Sequence, residues 1–153
     1  MHLYLIRHAH ALDGDNDAVR PLSPKGRKQI RALGRTLRES GTFEAAEIWH
    51  SPLRRAGETA AFLATRLKTK ARLVEMGGLR PNDAGDSILK KLNDLRRPVA
   101  VVGHEPHLSA LASLLVAGQA VPPRFVLKKC AALRLDKVDG VWAVRWHVSP
   151  ELI

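Results

Sequence analysis

Short apolar runs alternate with amphipathic stretches along nearly the whole chain, and this alternation excludes most folds. Val99-Ala100-Val101-Val102 is apolar without a break, as is Leu3-Tyr4-Leu5-Ile6 apart from one phenol. Runs of that kind read as strands buried on both faces, the habit of parallel sheets covered by helices. Residues 2–6 and 99–102 are therefore expected strands, joined by Glu47–His50 and 71–75. Between them lie helical stretches. Ser23-Pro24 reads as an N-cap followed by proline at the first helical position, opening a helix that stops at Gly41. Ser51-Pro52 repeats that signature before a helix to about Leu67. Ile88, Leu89, Leu92 and Leu95 mark a third helix, closed by Pro98, and Leu108 to Ala117 a fourth, opened by Pro106. Two final strands, 130–136 and 141–148, flank the turn Asp139-Gly140. The order βαβαβαβαββ predicts an α/β fold: a single-domain three-layer sandwich over residues 1–153. Its central sheet is mostly parallel and flanked by helices, with antiparallel pairing at one side.

Size and composition narrow the function. A chain of 153 residues, 45% hydrophobic, buries a real core in one domain. The single cysteine, Cys130, allows no internal disulfide and suits a reducing, cytoplasmic setting. The first residues show no signal peptide, and no apolar run reaches the ~18–20 residues of a membrane span, so no membrane role is expected. The charge is +10, from 25 Lys and Arg against 15 Asp and Glu. It reads as a solvated basic surface or as a field that draws anionic substrates. Nucleic acid is not an expected partner, because aromatics are only 5% and no Gly/aromatic recognition motif is present. Arg27, Arg31, Arg35 and Arg38 form a basic stripe at helical spacing, the ordinary pattern of a solvated face.

Chemistry-bearing residues gather at the expected carboxyl ends of strands, where open α/β sheets bind ligands. Arg7-His8 ends the first strand, Ser51 to Arg55 leave the second, and His104 ends the Val99–Val102 strand. Arginine forks match phosphate oxygens, and phosphoryl transfer is catalysed chiefly by positioning and electrostatics. His8 is the candidate nucleophile; its second ring nitrogen is expected to donate to a nearby carbonyl. His104 is a candidate donor to the phosphoryl oxygens. The Ser51-Pro52 helix start is expected to add backbone N–H donors.

These residues resemble the histidine phosphatase superfamily, with its phosphoglycerate-mutase-like fold, and are most similar to its short SixA-type phosphohistidine phosphatases. Leu5-Ile6-Arg7-His8-Ala9 resembles the family's Arg-His-Gly signature, and Arg20-Pro21-Leu22-Ser23 with Gly26 its loop-to-helix entry. Ser51 through Arg55-Ala56, with Thr59, and Val101-Val102-Gly103-His104-Glu105-Pro106 carry the other two segments. The resemblance implies a phosphatase with a phosphate pocket of Arg7, Arg55 and His104 and a nucleophile at His8. Ser51 and Ala56 fix the register that selects Arg55 over Arg54. It implies no metal and no organic cofactor. Two departures stand out. Ala9 replaces the usual glycine, and the inserted region that supplies a carboxylate proton donor in larger members is missing. Phosphohistidine has a good leaving group, so the short chain suits it.

Glu105 is the leading candidate proton donor, with charge at a helix N-terminus as its plainer role; Asp83 and Asp86 are weaker candidates. Arg20 is a candidate phosphate ligand, or else pairs with Asp13, Asp15 or Asp17. His10 forms a His-x-His pair with His8, but nothing completes a metal site. His107 is expected at the solvent or the rim, and Lys128 and Lys129 beside the crevice. The expected substrate is a phosphorylated protein, phosphohistidine on a phosphotransfer protein, met in an open, shallow pocket by a monomer. Small phosphoesters, polyphosphate and a non-catalytic phosphate-binding module are the alternatives.

Overall fold

The computed structural model describes all of residues 1–153. Strand β1 spans His2–Arg7, followed by α1 (Pro24–Ser40), β2 (Glu47–His50), α2 (Arg54–Leu67), β3 (Arg72–Glu75) and α3 (Asp86–Asn93). The chain continues through β4 (Val99–Gly103), α4 (His107–Ala117), β5 (Ala132–Val138) and β6 (Val141–Val148). Two short 3-10 turns, Asp17–Val19 and Pro150–Leu152, lie outside these elements. The six strands form one sheet in the order β3-β2-β4-β1-β5-β6. The first four are mutually parallel; β5 is antiparallel to β1 and β6 to β5. The expected α/β sandwich and its antiparallel margin are both present.

The unbroken apolar strands follow from two-sided burial. In β1, Tyr4 and Ile6 face one layer, with Ile30, Leu33 and Leu37 of α1 and Ala56, Ala60 and Leu63 of α2. Leu3 and Leu5 face the other, with Ile88 and Leu92 of α3 and Leu108 and Leu111 of α4. Each such fully buried aliphatic side chain contributes about 1.5–3 kcal/mol. Trp49 and Trp142 are buried in the second layer, and Trp146 packs at the edge of the first. Arg27 departs from the solvated stripe: its guanidinium lies 4.5 Å from the centre of the Phe62 ring.

The topology reverses between β4 and β1, because the chain builds outward to β3 and then returns to insert β4 beside β1. This reversal opens the crevice in which ligands of such sheets bind. Helix α1 presses on its rim. Ser23 Oγ caps α1 by accepting from Gly26 N at 3.0 Å, and Gly41 ends it in the left-handed region (φ 65°). At Gly26 a Cβ would lie 2.1 Å from the His10 carbonyl oxygen, so α1 touches the backbone just past His8. Gly26→Ala is expected to cost about 2 kcal/mol, read by thermal denaturation as a Tm lower by roughly 4–8 °C. An unchanged Tm would show that this contact is not tight.

Candidate active site

The parallel register places the two histidines. Arg7 pairs with Gly103 across β1 and β4, so His8 and His104 are the next residues on adjacent strands. His8 N donates to Gly103 O at 2.9 Å, and the two imidazole centres are 5.0 Å apart. One strand further, Ser51 N donates to Val102 O at 3.1 Å at the end of β2. Three neighbouring strand ends thus bring together His8, His104 and Ser51.

Each ring is held by one nitrogen. His8 Nδ1 lies 2.7 Å from the Ala9 carbonyl oxygen, which only accepts, so Nδ1 carries the proton and Nε2 keeps its lone pair. Ala9, buried without a positive φ, fits the turn in glycine's place. Its N–H donates to Thr59 Oγ1 at 3.0 Å, and Thr59 Oγ1 donates to Arg55 O at 2.7 Å, which ties α2 to the His8 loop. His104 Nε2 lies 2.8 Å from Ser51 Oγ. Ser51 is therefore not the cap of α2, as its sequence suggests; Leu53 occupies that position, without a side-chain bond, and α2 begins at Arg54.

Both rings are neutral in the free protein. Burial, then the cations Arg55, Arg7 and Lys129, push His8 down to about 4, against the Ala9 hydrogen bond. Burial, His8 and Arg55 push His104 down to about 3. Arg7 Nη1 donates to Leu127 O at 3.0 Å, whereas its Nε and His104 Nδ1 are buried without partners. No three His, Cys, Asp or Glu side chains converge as a metal-binding cluster. His10 Nδ1 is instead 2.6 Å from Ser23 Oγ.

Arg55 reaches the site as the register requires, but an internal anion meets it. Its Nη1 donates to Asp17 O at 2.9 Å and its Nη2 to Asp17 Oδ2 at 3.2 Å. Arg54 lies outside, paired with Glu58 at 3.4 Å. Asp17 Oδ1 also accepts from Arg20 Nη1 at 3.0 Å, and Arg20 Nε donates to Leu12 O at 2.8 Å. Arg20 is thus spent on the acidic loop and touches the phosphate pocket only through Asp17. His8, Arg55 and His104 are only 6%, 5% and 1% exposed. Asp17 is the site residue that composition hid, one more acid in an Asp-rich loop.

Glu105 is not brought to the histidine pair as a free carboxylate. Its Oε1 accepts from Ser109 N at 2.8 Å and its Oε2 from Ser109 Oγ, the helix N-terminal role. Asp83 Oδ2 accepts from Arg80 N at 2.9 Å in its own loop. His107, expected at the rim, is buried with neither ring nitrogen bonded. Lys128 and Lys129 do flank a cleft that begins at Arg7.

A three-layer α/β sandwich that sets two neutral imidazoles beside Arg7 and the buried Arg55 at its strand ends suits an oxyanion such as a phosphoryl group. Comparison with known proteins agrees. The model of the histidine phosphatase superfamily (branch 1) matches residues 3–87, more than half of the chain. The phosphohistidine phosphatase SixA of Escherichia coli (strain K12) is 29% identical over 155 residues, covering 98% of this chain and 94% of that protein. An uncharacterised protein of Mycobacterium tuberculosis is 32% identical over 149 residues, covering 90% of both chains. The solved structure of the protein histidine phosphatase SixA complexed with tungstate superposes with a TM-score of 0.87 at 25% identity, covering 99% of each chain. The chain belongs to the histidine phosphatase superfamily and is a phosphatase.

Two outcomes follow from this geometry. The folded protein binds fewer protons than the unfolded chain between pH 6.5 and about 4, since His8 and His104 stay neutral there. Stability is therefore full above pH 6.5 and declines as pH falls through that window. In an NMR titration, the His8 and His104 imidazole signals are expected to move only below pH 5; movement near 6.5 would contradict their burial. Secondly, Asp17→Asn is expected to bind orthovanadate about two- to fivefold more tightly, as befits an exposed competing carboxylate. Unchanged or weaker inhibition would show that Asp17 does not compete with the anion.

Proposed function

We propose that this phosphatase removes the phosphoryl group from phosphohistidine on a protein, through a covalent intermediate at His8. The observation that carries the reading is the hydrogen bond from His8 Nδ1 to Ala9 O, which leaves Nε2 as a lone pair beside Arg55 and His104. The match to phosphohistidine phosphatase SixA over nearly the full length supports the substrate class. Arg7 and Arg55 hold the phosphoryl oxygens, Asp17 yielding Arg55 as the anion enters. Ser51 Oγ accepts from Leu53 N at 3.2 Å and donates its hydroxyl hydrogen to His104 Nε2, so the buried, unpartnered His104 Nδ1–H is the donor left for the phosphoryl group.

In the first step the His8 Nε2 lone pair attacks phosphorus. The P–N bond to the substrate ring breaks, and its electron pair returns to that nitrogen. A substrate imidazole already protonated on its other nitrogen leaves neutral, so no enzyme acid is required. The phosphorylated His8 ring, still carrying its Nδ1 proton, is cationic. Water then attacks phosphorus, the P–Nε2 bond breaks, His8 regains its lone pair, and water's protons leave with the phosphate and the solvent. Glu105, occupied by Ser109, has no step to perform. The protein works as a monomer in a reducing, cytoplasmic setting. Cys130 is compatible with this, since burial pushes its thiol up to about 12 and leaves it unreactive.

The test is a panel of phosphohistidine protein, aryl phosphate and polyphosphate with wild type, His8→Ala and Glu105→Gln. His8→Ala is expected to lose at least about a thousandfold in kcat, and Glu105→Gln to stay within about twofold. Rapid quench should trap an acid-labile phosphoryl label on wild type and Glu105→Gln but not on His8→Ala. Fast turnover of small esters with phosphohistidine protein untouched would defeat the substrate assignment.

A further inference from the structure

Beside the histidine pair, a cleft of about 580 Å³ runs from Arg7 along the first turns of α1 to the 128–129 segment and the C-terminal 3-10 turn. Five cationic side chains line it, Arg7, Lys25, Lys28, Lys128 and Lys129, against one acidic side chain, Glu151. None of the four lysines forms an ion pair, although Arg20, Arg54, Arg55, Arg72 and Arg134 all do. Lys129 feels the crowding. Burial first, then Arg7, Arg20 and Lys25, lower its ammonium pKa, and Asp13 offsets them only in part. Five like charges against so little counter-charge are a standing cost that an anionic partner relieves.

The geometry points to this cleft as a docking site for acidic side chains that flank the phosphorylated residue of a protein substrate. The proposal rests on the phosphoprotein reading above and names the surface that reading lacks. Arg7 belongs to both places: it directly precedes His8, and it forms the inner end of the cleft. A protein whose phosphohistidine sits at His8 therefore lays its neighbouring surface over the lysines. Their chemistry favours carboxylates. Lysine ammoniums are mobile point charges suited to dispersed acids, and the cleft holds only one guanidinium fork, Arg7, for bidentate grip of phosphate oxygens. A volume of about 580 Å³ admits several side chains, more than one phosphate needs.

Lys25→Glu/Lys28→Glu reverses two charges on the exposed first turns of α1, away from the histidine pair. Arg31→Glu/Arg35→Glu makes the same change of net charge further along the same helix, also at exposed positions. Both variants and wild type are assayed on an acidic phosphohistidine-bearing phosphotransfer domain and on free phosphohistidine, after matching their CD spectra. The cleft variant is expected to lose about tenfold or more in kcat/KM on the protein, mostly through KM, and to flatten its dependence on salt between about 50 and 300 mM. Its activity on free phosphohistidine should stay within about twofold, and the control within about threefold on both. Equal losses in the two variants would assign the effect to net charge and overturn the proposal. Unchanged protein kinetics in the cleft variant would overturn it too, as would polyphosphate inhibition relieved by the variant without effect on the protein substrate. Failure of wild type to turn over the phosphoprotein at all would defeat the substrate reading itself, a result distinct from each of these.

Discussion

The parallel pairing of β1 with β4 is the constraint on which the rest depends. It sets Leu3 against Val99 and Arg7 against Gly103, and so puts His8 and His104 side by side at the end of the ladder. A slip of one residue would turn Tyr4 and Ile6 toward the wrong helical layer and separate the histidines at once. Core and site are thus specified by the same alignment. The four consecutive buried residues of β1 fix a register that two imidazoles then use, and the β2 ladder adds Ser51 to the same line.

Burial at that line decides the electrostatics. Two imidazoles, Arg55 and Arg7 crowd into a region from which water is largely excluded. Charging a ring there costs desolvation and repulsion, so the rings stay neutral while the guanidiniums keep their charge. The free site therefore has positive charge and lone pairs but little negative charge, and Asp17 supplies what it has. An entering phosphoryl group brings the missing anion. The same excess continues outward along the unpaired lysines of the neighbouring cleft.

The fold was legible because two-sided burial leaves an unmistakable trace: apolar runs without polar alternation, separated by capped helices. His8, His104 and Arg55 were legible because strand ends are short and their residues have few places to go. The choices that the sequence leaves open share a cause. Ser51, Glu105 and Arg20 each carry a group with two plausible partners, and sequence does not say which is nearer. Ser51 resembles a cap, yet the β2–β4 register swings its hydroxyl to His104. Glu105 lies next to His104 in the chain, yet Ser109, in the first turn of α4, takes both its oxygens. Arg20 takes the nearby partner of its two readings, Asp17 three residues back, whereas Asp17 meets Arg55 because the 10–20 loop folds back on α2, a long-range event with no local pattern. His107 defied the ordinary expectation for a polar residue at a helix start, being buried with both nitrogens unbonded.

These outcomes bear on why the chain manages with so little. A phosphate ester leaves as an alkoxide and calls for an acid near the leaving oxygen. The acids beside this site are otherwise engaged: Glu105 by Ser109, Asp83 by Arg80, and Asp17 by two arginines, with Arg20 and then Arg55 keeping its carboxyl ionised. An ionised carboxylate held by guanidiniums has no proton to give. A leaving group that departs as a neutral imidazole asks for none. The acid-poor site therefore suits the proposed phosphoramidate substrate, and on that reading the one carboxylate that touches the pocket, Asp17, holds Arg55 until an oxyanion takes its place.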